Sequence, residues 1–123
     1  MVWETHKILD ENISVNPTAV RVPVLVGHAE SIYIETEKEI DIELAKNCLN
    51  EFAGISVIDN VQEVDFPTSF EHGHGTDDVY VGRIRKGLSK NNSLNLWVVA
   101  DNVRKGAALN SIQIAENLVG SKM

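Results

Sequence analysis

Segments with strand character follow one another along most of this chain, and one helical segment separates them near the middle. Four segments have the apolar and β-branched composition of strands: 31–36, 55–59, 78–85 and 94–101. Asp41–Ala53 instead has helical spacing. Strands that mostly neighbour other strands, with a helix inserted, are typical of the α+β class. The order predicts a mostly antiparallel or mixed sheet with helices packed on one face.

The segment Asp41–Ala53 predicts an amphipathic helix. Asp41 can cap its first turn, and Gly54 stands where a C-terminal cap belongs. The apolar side chains form one stripe, made of Ile42, Ala45, Cys48, Leu49 and Phe52. On such a stripe Cys48 is expected to act as a small hydrophobe, because a reactive thiolate needs an electropositive and partly exposed setting.

Four further segments complete the chain. Residues 1–11 have helical spacing, but no Ser, Thr, Asp or Asn precedes them to cap the first turn. Residues 20–26 alternate apolar side chains and predict a strand, although Pro23 cannot donate a ladder hydrogen bond. Residues 67–78 are rich in Gly and His and predict a loop. Residues 102–119 predict a closing helix with one shared face, made of Ala108, Ile112 and Ala115.

Length and composition limit the class of protein. A chain of 123 residues suits a single domain, 1–123, and its formal charge of −7 argues against a nucleic-acid partner. No apolar run reaches the roughly 18–20 residues that span a bilayer, and the N-terminus lacks the basic start of a signal peptide. One cysteine excludes an intrachain disulfide. We therefore expect a cytoplasmic protein without a membrane partner.

Arg21 and His28 do not fit a purely structural segment. A guanidinium can hold a carboxylate through two parallel hydrogen bonds, and a histidine side chain can act as general acid or base near neutral pH. Each also has a structural alternative, since a strand arginine can reach the surface and a strand histidine can be a satisfied structural residue. In one straight strand the two residues would lie about 23 Å apart, at about 3.3 Å per residue. A shared site therefore requires a bend, for which Pro23 and Gly27 are the candidates.

Two other kinds of site find little support. His72 and His74 could ligate a metal, but no third ligand with recognisable spacing accompanies them, so we expect a solvated loop and no metal. The chain also lacks the glycine-rich patterns GxGxxG and GxxxxGK[ST] that cradle phosphates.

Several stretches together resemble a known enzyme family. ETHKIL (4–9), TAVRVPVLVGHAESIYIE (18–35), VGRIRKG (81–87) and LWVVADNVRKGAALNSIQIAENL (96–118) resemble the C-terminal portion of bacterial aspartate-semialdehyde dehydrogenases. The resemblance covers nearly the whole chain but only about the last third of that family's length. It implies an incomplete C-terminal domain of the glyceraldehyde-phosphate-dehydrogenase type, which forms homodimers.

The resemblance also implies an activity and a role for three residues. These enzymes are NADP-dependent oxidoreductases that interconvert aspartate semialdehyde and aspartyl phosphate, in the biosynthesis of lysine, diaminopimelate, threonine and methionine. By resemblance, Arg21 grips the substrate carboxylate, His28 is the catalytic acid/base and Asn102 contacts the nicotinamide cofactor.

The family's nucleotide-binding domain and nucleophilic cysteine segment have no counterpart in this chain. We therefore expect a fragment that has no bound NADP and is inactive alone. The alternative is a stand-alone module that homodimerises or binds a ligand without catalysis.

Overall fold

A computed structural model describes residues 1–120 of the chain. In chain order its elements are α1 (Val2–Ile8), β1 (His28–Glu35), α2 (Ile42–Glu51), β2 (Ile55–Val57), α3 (Ser69–His72), β3 (Val79–Lys86), β4 (Ser93–Ala100) and α4 (Leu109–Gly120). None of the helices among these residues is long and apolar enough to cross a membrane.

The strands form one sheet in the order β1-β4-β3-β2. Strand β4 pairs antiparallel with both β1 and β3, whereas β2 runs parallel to β3. The sheet is therefore mixed and mostly antiparallel, and the predicted α+β class is confirmed. Because β1 and β4 are paired over their full length, the start of β1 lies beside the end of β4.

The core lies on one face of this sheet. Alternate residues of β3 and β4 point to the same side, and four of them are buried together: Val81, Ile84, Leu94 and Leu96. Helix α2 covers this face with Ile42 and Leu49. On the opposite face Val99 is fully buried, and the Nε1–H of Trp97 donates to the carbonyl of Pro67 at 2.9 Å. Pro67 and α3 thus cover part of the second face.

A bulge interrupts β3 at Arg83, which has a φ of +56°, and shifts its register against β4. The carboxylate of Asp59 accepts the freed backbone N–H groups of Arg83 (2.7 Å) and Ile84 (3.3 Å). Lys46 reaches the same carboxylate at 3.1 Å from α2. The bulge is therefore held by one buried side chain instead of by ladder hydrogen bonds.

Helix α2 has the predicted cap, but its buried apolar stripe is narrower than predicted. The Asp41 carboxylate accepts the N–H of Leu44 at 2.9 Å, as expected. The helix ends at Glu51, so Phe52 adopts an extended conformation and is 66% exposed. Cys48 is also exposed, so its assignment to the buried stripe was wrong. The reason is geometric: Cys48 lies at the margin of a stripe that is centred on Ile42, Ala45 and Leu49.

The predicted strand over residues 20–26 is wrong. The segment is irregular, with bends at Pro23, Leu25 and Val26, and it leaves its apolar side chains largely exposed. A tight turn joins the N–H of Val24 to the carbonyl of Val22 at 2.9 Å. An alternating apolar pattern forms a strand only where a neighbouring strand can pair with it. In the described part of the chain, no strand pairs with residues 20–26.

The two terminal helices differ from their predicted bounds. Helix α1 covers Val2–Ile8 and not residues 1–11, and its first turn has no side-chain cap, as the sequence indicates. At the other end, the backbone is non-helical from Lys105 to Ala107, because Gly106 has a φ of +92°. The closing helix therefore begins at Leu109, and its predicted packing face, made of Ala108, Ile112 and Ala115, is exposed.

The glycine- and histidine-rich segment 67–78 is not wholly a loop, because it contains α3. The Thr68 hydroxyl accepts the N–H of Glu71 at 3.2 Å, and this bond caps the helix. Thr68 and Glu71 stand in the T-x-x-E spacing of a capping box, a sequence signal that the loop prediction overlooked.

Candidate functional site

His28 and Asn102 lie at the same end of the sheet. His28 is the first residue of β1 and pairs with Ala100, the last residue of β4. Asn102 follows Ala100 by two residues and is exposed. Two residues that are 74 positions apart in the sequence are thus brought close by the antiparallel pairing of two strands.

The imidazole of His28 is held by an acidic neighbour. Its Nε2 lies 2.8 Å from Oε1 of Glu30, two residues along the same face of β1. Because a carboxylate can only accept, Nε2 carries the hydrogen in this bond, and Nδ1 of the neutral ring is then an acceptor. The His28 side chain is 58% exposed, so Nδ1 can be reached from solvent. Glu30 was not identified from the sequence, although its i+2 spacing from His28 places both on one face.

Arg21 lies in the irregular segment between α1 and β1 and is exposed. It forms no hydrogen bond or ion pair with the residues that the structure describes. The bends at Pro23, Leu25 and Val26 rule out the straight strand that would separate Arg21 from His28 by its full extended length. That the two side chains share a pocket stays a prediction.

Asp101 organises the turn that carries Asn102. It is only 5% exposed, and its Oδ1 accepts the N–H of Val103 at 3.0 Å while its Oδ2 accepts the N–H of Gly75 at 2.8 Å. The hydrogen bond from Gly75 is the main cause that lowers the pKa of this carboxyl, ahead of the opposing effect of burial. The Asp-Asn-Val sequence is an Asx-turn signal that sequence reasoning missed.

The loop between α3 and β3, residues 73–78, packs behind His28. Gly27 has a φ of +84°, and a Cβ built on it would lie 2.8 Å from the carbonyl oxygen of Gly73. Only two glycines allow the backbones to approach so closely. The same loop is tied to the segment after β4 by Asp77, whose Oδ1 accepts from Nε of Arg104 at 2.5 Å. This bond lowers the pKa of Asp77.

The two histidines of this region have different surroundings. Nδ1 of His72 accepts the N–H of Thr68 at 3.2 Å, and its ring packs against Tyr80 with 4.8 Å between centroids. His74 is exposed, with Nδ1 3.8 Å from Oδ2 of Asp101. Within residues 1–120, no three His, Cys, Asp or Glu side chains form a group that could hold a metal ion.

Each comparison with known proteins matches this chain to semialdehyde dehydrogenases. The family model described as semialdehyde dehydrogenase, dimerisation domain, matches residues 1–105. Curated aspartate-semialdehyde dehydrogenases from Shewanella violacea and Legionella pneumophila are 55% and 51% identical over 97% and 96% of the chain. A crystal structure of aspartate semialdehyde dehydrogenase II complexed with ASA, from Vibrio cholerae, aligns with a TM-score of 0.92 at 51% identity and covers 100% of the chain.

The chain therefore belongs to the family of semialdehyde dehydrogenase dimerisation domains. Within that family, the matched relatives are aspartate-semialdehyde dehydrogenases, and the chain corresponds to their C-terminal portion. It spans about a third of their length: 35% of the Shewanella protein, 34% of the Legionella protein and 36% of the Vibrio structure.

Proposed function

We propose that this chain is the substrate-binding and dimerisation part of an NADP-dependent aspartate-semialdehyde dehydrogenase of the cytoplasm. The reaction converts aspartate 4-semialdehyde, phosphate and NADP to aspartyl 4-phosphate and NADPH, and it belongs to the biosynthesis of lysine and related amino acids. The observation that carries the proposal is the agreement in sequence and fold with these enzymes across the whole chain, at 51% identity and a TM-score of 0.92.

In this proposal Arg21 binds the carboxylate of the substrate. Its guanidinium is exposed and has no acidic partner among the described residues, so it is available to an anion. The planar fork can donate two parallel hydrogen bonds to one carboxylate, and this geometry fixes the orientation of the substrate as well as its position. A lysine would keep the charge but lose the second bond.

His28 handles the proton of the hydroxyl that forms on the substrate's aldehyde carbon when a cysteine thiol from the rest of the enzyme adds to it. Glu30 holds Nε2 and sets the ring orientation, so Nδ1 is the nitrogen that can take a proton from a hydroxyl and return it. Removing this proton as the carbonyl re-forms would favour the departure of hydride from the same carbon. The arrangement is the base-plus-orienter pair common to general acid–base catalysis.

The nicotinamide cofactor would meet this chain at Asn102. The side chain is exposed, and its amide offers both a donor and an acceptor to a carboxamide. The turn held by Asp101 limits the backbone freedom of this residue. When bound, NADP would supply the hydride acceptor. Among the described residues, Asn102 is the one that we propose contacts it.

We further propose that the chain alone is inactive. Its single cysteine, Cys48, lies on α2, which packs over β2 and β3. Strands β3 and β2 stand two and three places from β1 in the sheet, about 10 and 14 Å at roughly 4.8 Å per strand. Cys48 is therefore too far from His28 to act as its nucleophile.

Homodimer formation is part of the proposal. The matched family model is described as a dimerisation domain. Large apolar side chains are also left open in the described residues, among them Trp3 at 86%, Val20 at 74% and Leu25 at 101% exposure. Exposed apolar area of this kind marks contact with other protein surface.

A chimaera tests the function directly. The present chain would replace the matching third of the Vibrio enzyme, and NADPH formation from aspartate semialdehyde and phosphate would be followed. We expect activity in the chimaera, a raised KM in Arg21→Ala, and a kcat lower by about 100-fold or more in His28→Asn. The matched control Arg85→Ala removes an exposed arginine whose bond is to the carbonyl of Arg83 and should leave both constants unchanged. A folded, dimeric chimaera without activity, or one insensitive to both site variants, would contradict the proposal.

A further inference from the structure

One buried carboxylate connects the segments that carry the two proposed site residues His28 and Asn102. Asp101 lies between Ala100, which pairs with His28, and Asn102. Its side chain is buried, yet its hydrogen bonds go to backbone N–H groups of two different loops. Among the described residues, Nδ1 of the exposed His74 lies 3.8 Å from Oδ2 of Asp101, beyond hydrogen-bond distance, and the nearby Arg104 donates its Nε–H to Asp77 instead. Asp101 is therefore committed to holding backbone and not to an ion pair.

The first connection is to Asn102. The bond from the Val103 N–H to Oδ1 closes a turn around Asn102, and the backbone carbonyl of Asp101 accepts the N–H groups of Arg104 (3.1 Å) and Lys105 (2.7 Å). Side chain and carbonyl of one residue thus fix the chain on the C-terminal side of Asn102. The direction in which its amide projects depends on these bonds.

The second connection is to His28. Oδ2 of Asp101 accepts the N–H of Gly75 at 2.8 Å, which anchors the loop 73–78. Gly73 of that loop lies against Gly27, the residue immediately before His28, at a distance that leaves no room for a Cβ. A shift of the loop would therefore move the backbone from which His28 projects.

We propose that Asp101 is a positioning residue for both His28 and Asn102, acting through the loop 73–78 and the turn 101–103. This inference rests on the proposed function for its catalytic meaning, but the structural coupling can be tested without catalysis. A carboxylate is required because each of its oxygens accepts one N–H. Asparagine offers one acceptor and one NH₂ group, which would face a backbone N–H, so one of the two bonds must be lost.

The test uses nuclear magnetic resonance of the whole chain, with Asp101→Asn compared to Asp65→Asn. Asp65 is exposed, and its carboxylate accepts no hydrogen bond from the described residues, so this control removes the same charge. In Asp101→Asn we expect faster amide exchange at Gly75 or Val103 and a changed titration of the His28 ring, which Asp101 does not touch. Asp65→Asn should match the original protein in both measurements.

A second variant covers the case in which Asp101→Asn does not fold. A kinetic measurement then distinguishes the positioning role from the proposed function. If Asp101→Asn does not fold, Asp101→Glu keeps the charge and displaces the carboxylate, and it should alter the His28 titration in the same way. In an active chimaera, Asp101→Asn should lower kcat by up to about 100-fold, as expected for displaced catalytic groups. A His28 titration that is unchanged in the folded variants overturns the positioning role even if the chimaera is active. An inactive chimaera with a changed titration would overturn only the proposed function.

Discussion

Gly27 and Gly73 lie against each other so closely that a Cβ on Gly27 would stand 2.8 Å from the Gly73 carbonyl oxygen. They are 46 positions apart in the sequence, and their contact places the loop 73–78 directly behind the residue before His28. The contact is possible because neither glycine has a side chain. It links the start of β1 to the connection that leads into β3.

Gly27→Ala should destabilise the chain through this contact. The left-handed backbone at φ +84° costs a non-glycine residue about 1–3 kcal/mol, and the clash with rigid backbone adds to it. The matched control is Gly75→Ala, which has a similar φ of +73° but nothing within 4 Å of its Cβ. Denaturant unfolding should show a larger loss of stability for Gly27→Ala, and equal losses would mean that the contact contributes nothing.

The hydrogen bonds to Asp101 predict how stability depends on pH. Its pKa is lowered in the folded chain, mainly by the Gly75 N–H, so the folded state binds this proton less readily than the unfolded state does. The stabilisation is fully present above the ordinary value, about 3.9, and is lost as pH falls through the folded pKa. We expect the difference in unfolding free energy between the original chain and Asp101→Asn to shrink on acidification below about pH 4. A difference that is constant with pH would refute the assignment.

Leu96→Ala should remove a large part of the core. Leu96 is 8% exposed, and its side chain projects from β4 into the core that α2 covers. Its truncation should therefore cost about 2–5 kcal/mol. Leu88→Ala in the link between β3 and β4 is the control, because Leu88 is fully exposed and should change stability by no more than about 0.5 kcal/mol. Thermal unfolding would measure both, and similar effects would place the core elsewhere.

Asp59→Ala should weaken the bulge in β3. The substitution leaves the N–H groups of Arg83 and Ile84 without their acceptor and Lys46 without its partner. Of these donors the one of the buried Ile84 matters most, since an unsatisfied buried donor costs about 1–3 kcal/mol. Asp65→Ala removes an exposed carboxylate and should stay within about 0.5 kcal/mol. Hydrogen exchange at Arg83 and Ile84 would report whether the loss is local to the bulge.

Local patterns predicted several elements well. The cap at Asp41 and the helix that follows it depend on contacts within four residues, and both were confirmed. Strands β3 and β4 lie close to their predicted positions because their apolar content is high and polar residues separate them. The family resemblance was also confirmed, since it depends on the identity of residues and not on their contacts.

The errors occurred where the outcome depends on distant partners. Residues 20–26 alternate like a strand, but in the described part of the chain no strand pairs with them. Cys48 has an apolar neighbourhood in sequence, yet it faces solvent because the sheet accepts only part of the helical stripe. The face predicted for the closing helix is exposed, and the helix itself begins only after Gly106, which has a φ of +92°.

The candidate site divides in the same way. His28, Arg21 and Asn102 could be named from the sequence, because a resemblance transfers residue types position by position. The bond between Gly75 and Asp101 and the contact between Gly27 and Gly73 could not, because these residues become neighbours only after the sheet has formed. Glu30 and the turn at Asp101 had local signals, which the sequence analysis overlooked.

The sequence by itself determined the class of fold, the family and which residues are candidates for chemistry, because these follow from residue identity and short-range periodicity. Only the tertiary structure decided which strand patterns become strands, which side of α2 is buried and which backbone groups meet the Asp101 carboxylate. The physical reason is that a hydrogen bond or a buried face needs a partner. For residues tens of positions apart, that partner exists only once β1, β3 and β4 have paired.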